Sequence, residues 1–507
     1  MKNFAAKNIV VASAIAVTTL QTGSVLAGDD DFDSAHKDFG VRVERALNNM
    51  SEKLFGLGKP LKESAPATTG AYRTFSQTAR EQVLIAKGLH VEYLTRNAAN
   101  NTDMIAFWPN SMSPTHLITC IEEFSEPAPI GTYPSGFSKL FPSIQRIDLQ
   151  TGVVETVLRG MSACDGIRLT PWGSILATEE RDDGGAYEIL NPLATTEVTL
   201  TQRGTNNFID QNGVAVVGKA AYRGMLPTLA WEGLAVLPSG VVIFGDEERP
   251  GTGGVDADGG AIFKFVPQVP FTGSGQISDL VQSPLISGLV YAMQVSCFDS
   301  LQQYGQGCEV GNAAWIPVGA ETARLDADRA GATGYYRPED LHQDPKYDDP
   351  ANPQAIRWCW TDTGNEGAKN YGEVVCGVDS TPLTADPDTR TVVVNRFVEG
   401  DTDANQFDNL EFQPKTGNVF VIEDHDNGDI WACLRDGKDR DIKTDGCVKM
   451  LSVKDSSAEP TGFIFTADGK TAYLSIQHTD DANMPNVDDY PTDDVIKITG
   501  FKRIRKG

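Results

Sequence analysis

Acidic residues recur along this 507-residue chain in a spacing that suits cation binding. The stretch WEGLAVLPSGVVIFGDEERPG, residues 231–251, opens on Glu232 and Gly233, runs through two apolar segments split by a Pro-Ser-Gly turn, and closes on Asp246, Glu247 and Glu248. CDGIRLTPWGSILATEE, from residue 164, repeats this with Asp165 and Gly166 in front and Glu179 and Glu180 behind. FDNLEFQPKTGNVFVIED, from residue 407, does so with Asp408 in front and Glu423 and Asp424 behind. Weaker copies run from Asp103 to Glu122 and Glu123 and from Glu459 to His478, and RPEDLHQD, from Arg337, resembles an opening half with Glu339. Carboxylates brought together repel one another unless a cation offsets them, and hard cations prefer oxygen ligands. Asp165, Glu179, Glu180, Glu232, Asp246, Glu247, Glu339, Asp408, Glu423, Asp424 and Glu459 are therefore candidate ligands of a multinuclear metal centre. The competing role is structural: strand-end caps, partners for arginines of neighbouring sheets, or solvated turns. Adjacent strand residues point in opposite directions, so one member of each acidic pair is expected to reach a shared site.

Arg337 precedes Pro338, which is expected to hold it extended ahead of Glu339. A guanidinium beside a metal ligand can clamp an oxyanion through two N–H groups; the alternative is an ion pair with Asp340 or a neighbouring sheet. The six histidines form no HxH or HExxH pattern, which argues against a histidine-rich zinc site. GxSxG, GxxxxGK[ST] and GxGxxG are all absent, against an α/β-hydrolase, a P-loop enzyme or a Rossmann enzyme.

The elements that would position these groups are hairpins. Each repeat alternates apolar and polar residues with period two and is punctuated by Pro and Gly, which predicts an antiparallel all-β fold. Six such units with acids at the same end predict a six-bladed β-propeller whose first strands line a central channel. The spacing of the repeats implies long inserted loops, with RPGTGGVDADGGA and the segment from Gln282 to Trp315 as candidates. The expected organisation is a secretory signal over 1–27, a short, partly helical N-terminal arm over 28–80, and the propeller over 81–507.

The formal charge of -26 opposes nucleic acid and anionic membrane surfaces as partners. Lys2 and Lys7 ahead of an apolar run from Ile9 to Leu20, with Val25 and Ala27 before the cleavage point, indicate export. Eight cysteines without a CxxC motif suit an oxidising compartment, with expected pairs Cys120–Cys164, Cys297–Cys308, Cys359–Cys376 and Cys433–Cys447.

TPWGSILATEE, DDGGAYEI, WEGLAVLPSGVVIFGDEE, RPEDL, DNLEFQPKTGNVFVIED and EPTGFIFTADGKTAYLSIQH, in this order, resemble the PhoX family of secreted bacterial alkaline phosphatases. The resemblance implies a propeller that hydrolyses phosphate monoesters, with calcium ions and a pair of irons held by carboxylates and a bridging cysteine. It implies that Glu232 and Glu339 are metal ligands, that Glu179 or Glu180 belongs to the same cluster, and that Arg337 contacts phosphate; Arg337 and Glu339 are the expected catalytic pair. Two departures matter. The family's cysteine is replaced by Thr178, a hard and weak donor, and the N-terminus lacks the family's twin arginine. Both favour calcium over iron. The expectation is a secreted or periplasmic, monomeric, calcium-dependent phosphatase acting on a small phosphate ester, with a calcium lactonase or a non-catalytic binding propeller as alternatives.

Overall fold

A computed structural model describes residues 39–123, 126–251, 258–296, 309–435 and 446–502. The secretory segment, the start of the arm, and Cys297 and Cys308 lie outside the described residues.

The expected hairpins form, and their strands are buried on both faces: Thr102–Trp108, Ile175–Glu179 and Val419–Glu423 are buried at every position. Six first strands, Thr102–Trp108, Cys164–Leu169, Leu234–Val236, Pro338–Gln343, Phe407–Phe412 and Glu459–Phe465, follow one another around an axis, each packed on the next and the last on the first. Each pairs antiparallel with a second strand, from which the sheet continues outward. This is a propeller arrangement. The separate sheets among the described residues are fewer than the blades expected, because the strand Gly311–Val318 pairs with Val392–Glu399 and fuses the third and fourth units into one ten-stranded sheet.

Closure uses both parts of the chain. The strand His90–Ala99 is the outer strand of the sixth sheet, pairing with Thr492–Thr499, while Val83–Ile85 pairs with Cys447–Val453 in the fifth. The arm is part of this closure. Beyond the helix Phe39–Leu54, Phe55 and Leu57 are fully buried in a cluster with Phe420, Phe463, Phe465 and Ile496. Arg73, also fully buried, donates to Asp494 at 2.6 Å.

Both expected insertions lie partly outside the described residues; within residues 282–315 the described part holds the strand Gly288–Val295 and the start of the strand Gly311–Val318. A further insertion is the connection between Ala186–Ile189 and Ala220–Tyr222, which sends the strand Val198–Leu200 back to pair parallel with Val154–Arg159 of the first sheet. Three of the four expected disulfides are present: Cys120–Cys164, Cys359–Cys376 and Cys433–Cys447. The first joins the first and second blades.

Candidate metal centre

The acid–glycine pairs explain how the first strands come so close. A β-carbon on Gly166 would sit 2.0 Å from the Glu232 carbonyl oxygen, and one on Gly233 would sit 1.9 Å from the Leu341 nitrogen. Only glycine lets each strand lie against its neighbour, and this draws Asp165, Glu232 and Glu339 towards one axis. Other blades use side chains for the same stitching: Asp340 accepts from Leu410 N–H at 3.1 Å, and Asn409 accepts from Gly462 N–H at 2.7 Å.

The result is a cavity of about 400 Å³ at one end of the axis. Ten carboxylates line it: Asp103, Glu122, Asp165, Glu180, Glu232, Glu247, Glu339, Asp408, Asp424 and Glu459, together with Arg249, Arg337, Gln477 and His478. Three triads bring ligand oxygens within 4.8 Å of one another: Asp103–Glu122–Asp165, Asp165–Glu180–Glu232 and Glu232–Glu339–Asp408. They share Asp165 and Glu232, so they form one continuous chain of oxygen donors.

Burial and mutual repulsion dominate the electrostatics. Burial, and then the charge of Asp103, pushes Asp165 well above the usual carboxylate range. Burial, followed by the charges of Asp165, Glu180 and Glu339, does the same to Glu232. Glu180 is pushed up to about 8. Asp165 Oδ1 is buried with no hydrogen-bond partner. An orphaned carboxylate oxygen inside an all-oxygen cluster fits a hard cation, which several carboxylates can bind at once.

Arg337 stands at the edge of this cluster. Its guanidinium contacts Glu247, Asp424 at 3.3 Å and Glu339 at 3.2 Å, on three different blades. Its φ is 58°, so it is left-handed and not extended as Pro338 led us to expect. That conformation turns the side chain back into the cavity, and strained residues of this kind concentrate at functional sites. Asp340, the alternative partner, is instead bound by Arg168 at 2.5 Å. Glu339 is further fixed by the Thr363 hydroxyl.

Nine expected residues meet in the cavity: Asp165, Glu180, Glu232, Glu247, Arg337, Glu339, Asp408, Asp424 and Glu459. Three do not. Glu179 is bound by Arg203 at 2.8 Å and accepts from Ser162 and Gly185 N–H groups. Asp246 is bound by Arg324 at 2.7 Å and accepts from Ala230 N–H. Glu423 accepts from the N–H groups of Asn405, Asp429 and the Trp431 indole. These are the arginine-pairing and strand-capping roles weighed as alternatives, and the next residue, Glu180, Glu247 or Asp424, faces the axis instead. Thr178 does not line the cavity; its hydroxyl donates to the Gly166 carbonyl at 3.0 Å.

Asp103 and Glu122 stand in the sequence only as the two ends of a weaker copy of the repeat and are not among the ligand candidates. Asp103 accepts from the Thr461 hydroxyl, and Glu122 from Gln477 at 2.6 Å. His478, in the left-handed region at φ 55°, places Nε2 3.2 Å from Glu459 and Nδ1 3.1 Å from the Asn101 amide oxygen. In the sequence it stands as the closing residue of the copy that starts at Glu459.

Residues 248–480, which hold Arg337, Glu339, Asp408, Asp424 and Glu459, match the family model "Alkaline phosphatase PhoX". The resemblance to PhoX is borne out. The structure of Pseudomonas fluorescens PhoX in complex with vanadate, a transition state analogue, is similar to this chain with a TM-score of 0.54 at 17% identity, covering 88% of this chain and 98% of that one. At that identity the likeness to the PhoX structure establishes the fold. A gluconolactonase from Xanthomonas campestris aligns less well, with a TM-score of 0.37 at 11% identity over 87% of this chain and 99% of its own. No curated protein sequence matches the chain significantly.

Proposed function

We propose that this chain is a secreted, calcium-dependent phosphatase that hydrolyses phosphate monoesters in the axial cavity. The observation that carries this reading is a guanidinium set among convergent carboxylates, within the segment that matches the PhoX family. Asp103, Glu122, Asp165, Glu180, Glu232, Glu339 and Asp408 would hold the cations. Bound there, calcium would neutralise ester oxygens and raise the acidity of an attacking water. Without such cations a phosphate dianion would meet ten carboxylates and be repelled.

Arg337 orients the ester by donating N–H groups to its non-bridging oxygens and holds the charge that develops there. Glu247 and Asp424 keep the guanidinium aimed from either side. Glu339 belongs to the third triad and also contacts Arg337, so it sets the distance from the clamp to the cations. The donors of the three triads are all oxygens, which supports calcium as the resident ion. Three disulfides support an oxidising location.

Hydrolysis of an aryl phosphate by the calcium-loaded protein tests the reading. Activity should vanish with a chelator, return with calcium, and fall by roughly 10²–10³ in Arg337→Ala, the scale expected for losing one charge-stabilising donor. A calcium-loaded protein that leaves the ester intact would overturn it.

A further inference from the structure

A second cavity, of about 760 Å³, adjoins the axial one, and the two share Glu247 and Arg249 in their walls. Its other walls come from Asp182, Thr228, Glu248 and the start of the helix Ala323–Ala330. Among the described residues its apolar lining is confined to Ala323 and Leu325. Glu247 also contacts Arg337, so the way from the phosphate clamp into this second space passes Glu247 and Arg249. An ester whose phosphoryl group lies against Arg337 has room there for its alcohol portion, in surroundings that are almost wholly polar.

The arginines of the two cavities differ in what they hold. Arg337 is engaged by Glu247, Glu339 and Asp424. Arg324 is engaged by Asp246 at 2.7 Å, Asp182 at 2.8 Å and Glu248 at 3.1 Å. Arg249 is exposed and has no hydrogen-bond or ion-pair partner among the described residues, although ten carboxylates line the axial cavity. The acids of the second cavity leave it free as well. Asp182 and Glu248 are held by Arg324 and Glu247 by Arg337, while Glu321, on the helical wall, lies beyond ion-pair distance.

The backbone that carries Arg249 is pinned. Glu247 N–H donates to the Ala230 carbonyl at 2.9 Å, and the Glu248 carbonyl accepts from the N–H groups of Gly260 at 3.2 Å and Arg337 at 3.3 Å. The last bond ties the residue before Arg249 to the backbone of Arg337, so the two arginines leave the chain at neighbouring points. One guanidinium is committed and the other is a donor fork without an acceptor, of the kind that binds carboxylate or phosphate through two N–H groups.

We propose that Arg249 is a specificity-determining residue that binds a second anionic group, a carboxylate or a further phosphate, on the alcohol portion of the ester. The inference rests on the phosphatase reading and narrows its substrate class to small phosphate monoesters that carry another negative charge a few bonds from the phosphoryl group.

The test assays the calcium-loaded, full-length protein with pairs of esters: carboxyalkyl phosphates of two, three and four carbons, each beside the hydroxyalkyl phosphate of the same length. The ratio within a pair is taken in one protein, so it is insensitive to differences in folding or metal loading, and the length series spans the gap between the two guanidiniums. Wild type should favour the carboxyalkyl member of at least one pair by about three- to tenfold in kcat/KM, the scale of one solvent-accessible charge-assisted contact. The preference should reside mainly in KM and shrink as salt is raised. Arg249→Ala should bring the ratio near one, and Arg249→Lys should keep part of it. A ratio near one at every length in wild type, or a preference that survives in Arg249→Ala, would overturn the inference and leave the phosphatase reading standing. So would an Arg249→Ala variant that slows both members of each pair alike, since that result assigns Arg249 to the general attraction of phosphate. Failure to hydrolyse any of the esters, the hydroxyalkyl phosphates included, would overturn the phosphatase reading and this inference with it.

Discussion

Neighbouring acids have opposite duties in this molecule, and strand alternation decides which does what. Glu179 faces inward to Arg203 while Glu180 faces the axis; Asp246 and Glu247, and Glu423 and Asp424, divide in the same way. Glu179→Gln should therefore destabilise the fold by about 3–5 kcal/mol, because it leaves Arg203 without its buried partner, and should leave calcium binding intact. Glu180→Gln should show the reverse, weaker calcium binding with little loss of stability. Denaturant titration paired with metal analysis separates the two. A pH dependence follows from the same acids. Burial lowers the His425 pKa, but the hydrogen bond and charge of Glu423 raise it further, to about 9. Because its folded value lies above its unfolded one, the imidazolium contributes stability that is complete below about pH 6.5 and is lost as pH rises through about 9. Unfolding midpoints between pH 6 and 10 should decline in wild type and stay flatter in His425→Gln. That one acid per pair would reach the axis was legible from strand alternation. Which one was not, since register shifts near these strand ends, such as that between Ala177 and Glu179, reset the facing.

Elements were legible where their period was clean. The hairpins carrying the acid–glycine pairs could be read from their Pro- and Gly-marked turns, and Cys359–Cys376 and Cys433–Cys447 from the short loops they close, with Cys120–Cys164 left as the remaining pair. The strands of 288–295 and 311–318 were hidden by a Pro-, Gly- and Gln-rich setting that mimics a loop. The helix Ala323–Ala330 was hidden by its brevity, although Gly331 ends it at φ 67° and it delivers Arg324 to Asp246. Cys120–Cys164 ties the second strand of one blade to the residue just before Asp165 in the next. Replacing both cysteines with serine should cost about 2–5 kcal/mol and should also weaken calcium binding, because Asp165 is shared by two triads. Calcium titration of the double variant at a temperature where it remains folded checks the second effect.

At the scale of the whole molecule, a net charge of -26 and a cluster of buried acids would, on the proposed function, make the fold depend on bound cations. Chelation should lower Tm, and free calcium at a hundred times its dissociation constant should restore about 2.7 kcal/mol for each ion bound to the folded state alone. Calorimetry across a calcium series measures this. The propeller could be read from the repeats, but its closure could not: Arg73 meets Asp494 across 421 residues, and no local pattern announces such a contact.

The pairing of His90–Ala99 with Thr492–Thr499 has a consequence for the chain's biogenesis. Asp103 and His478 stand on opposite sides of that seam, so a polypeptide still being synthesised or threaded through a translocon has no finished pocket. On the proposed function, calcium binding would therefore wait until the strand Thr492–Thr499 has been made and paired with His90–Ala99.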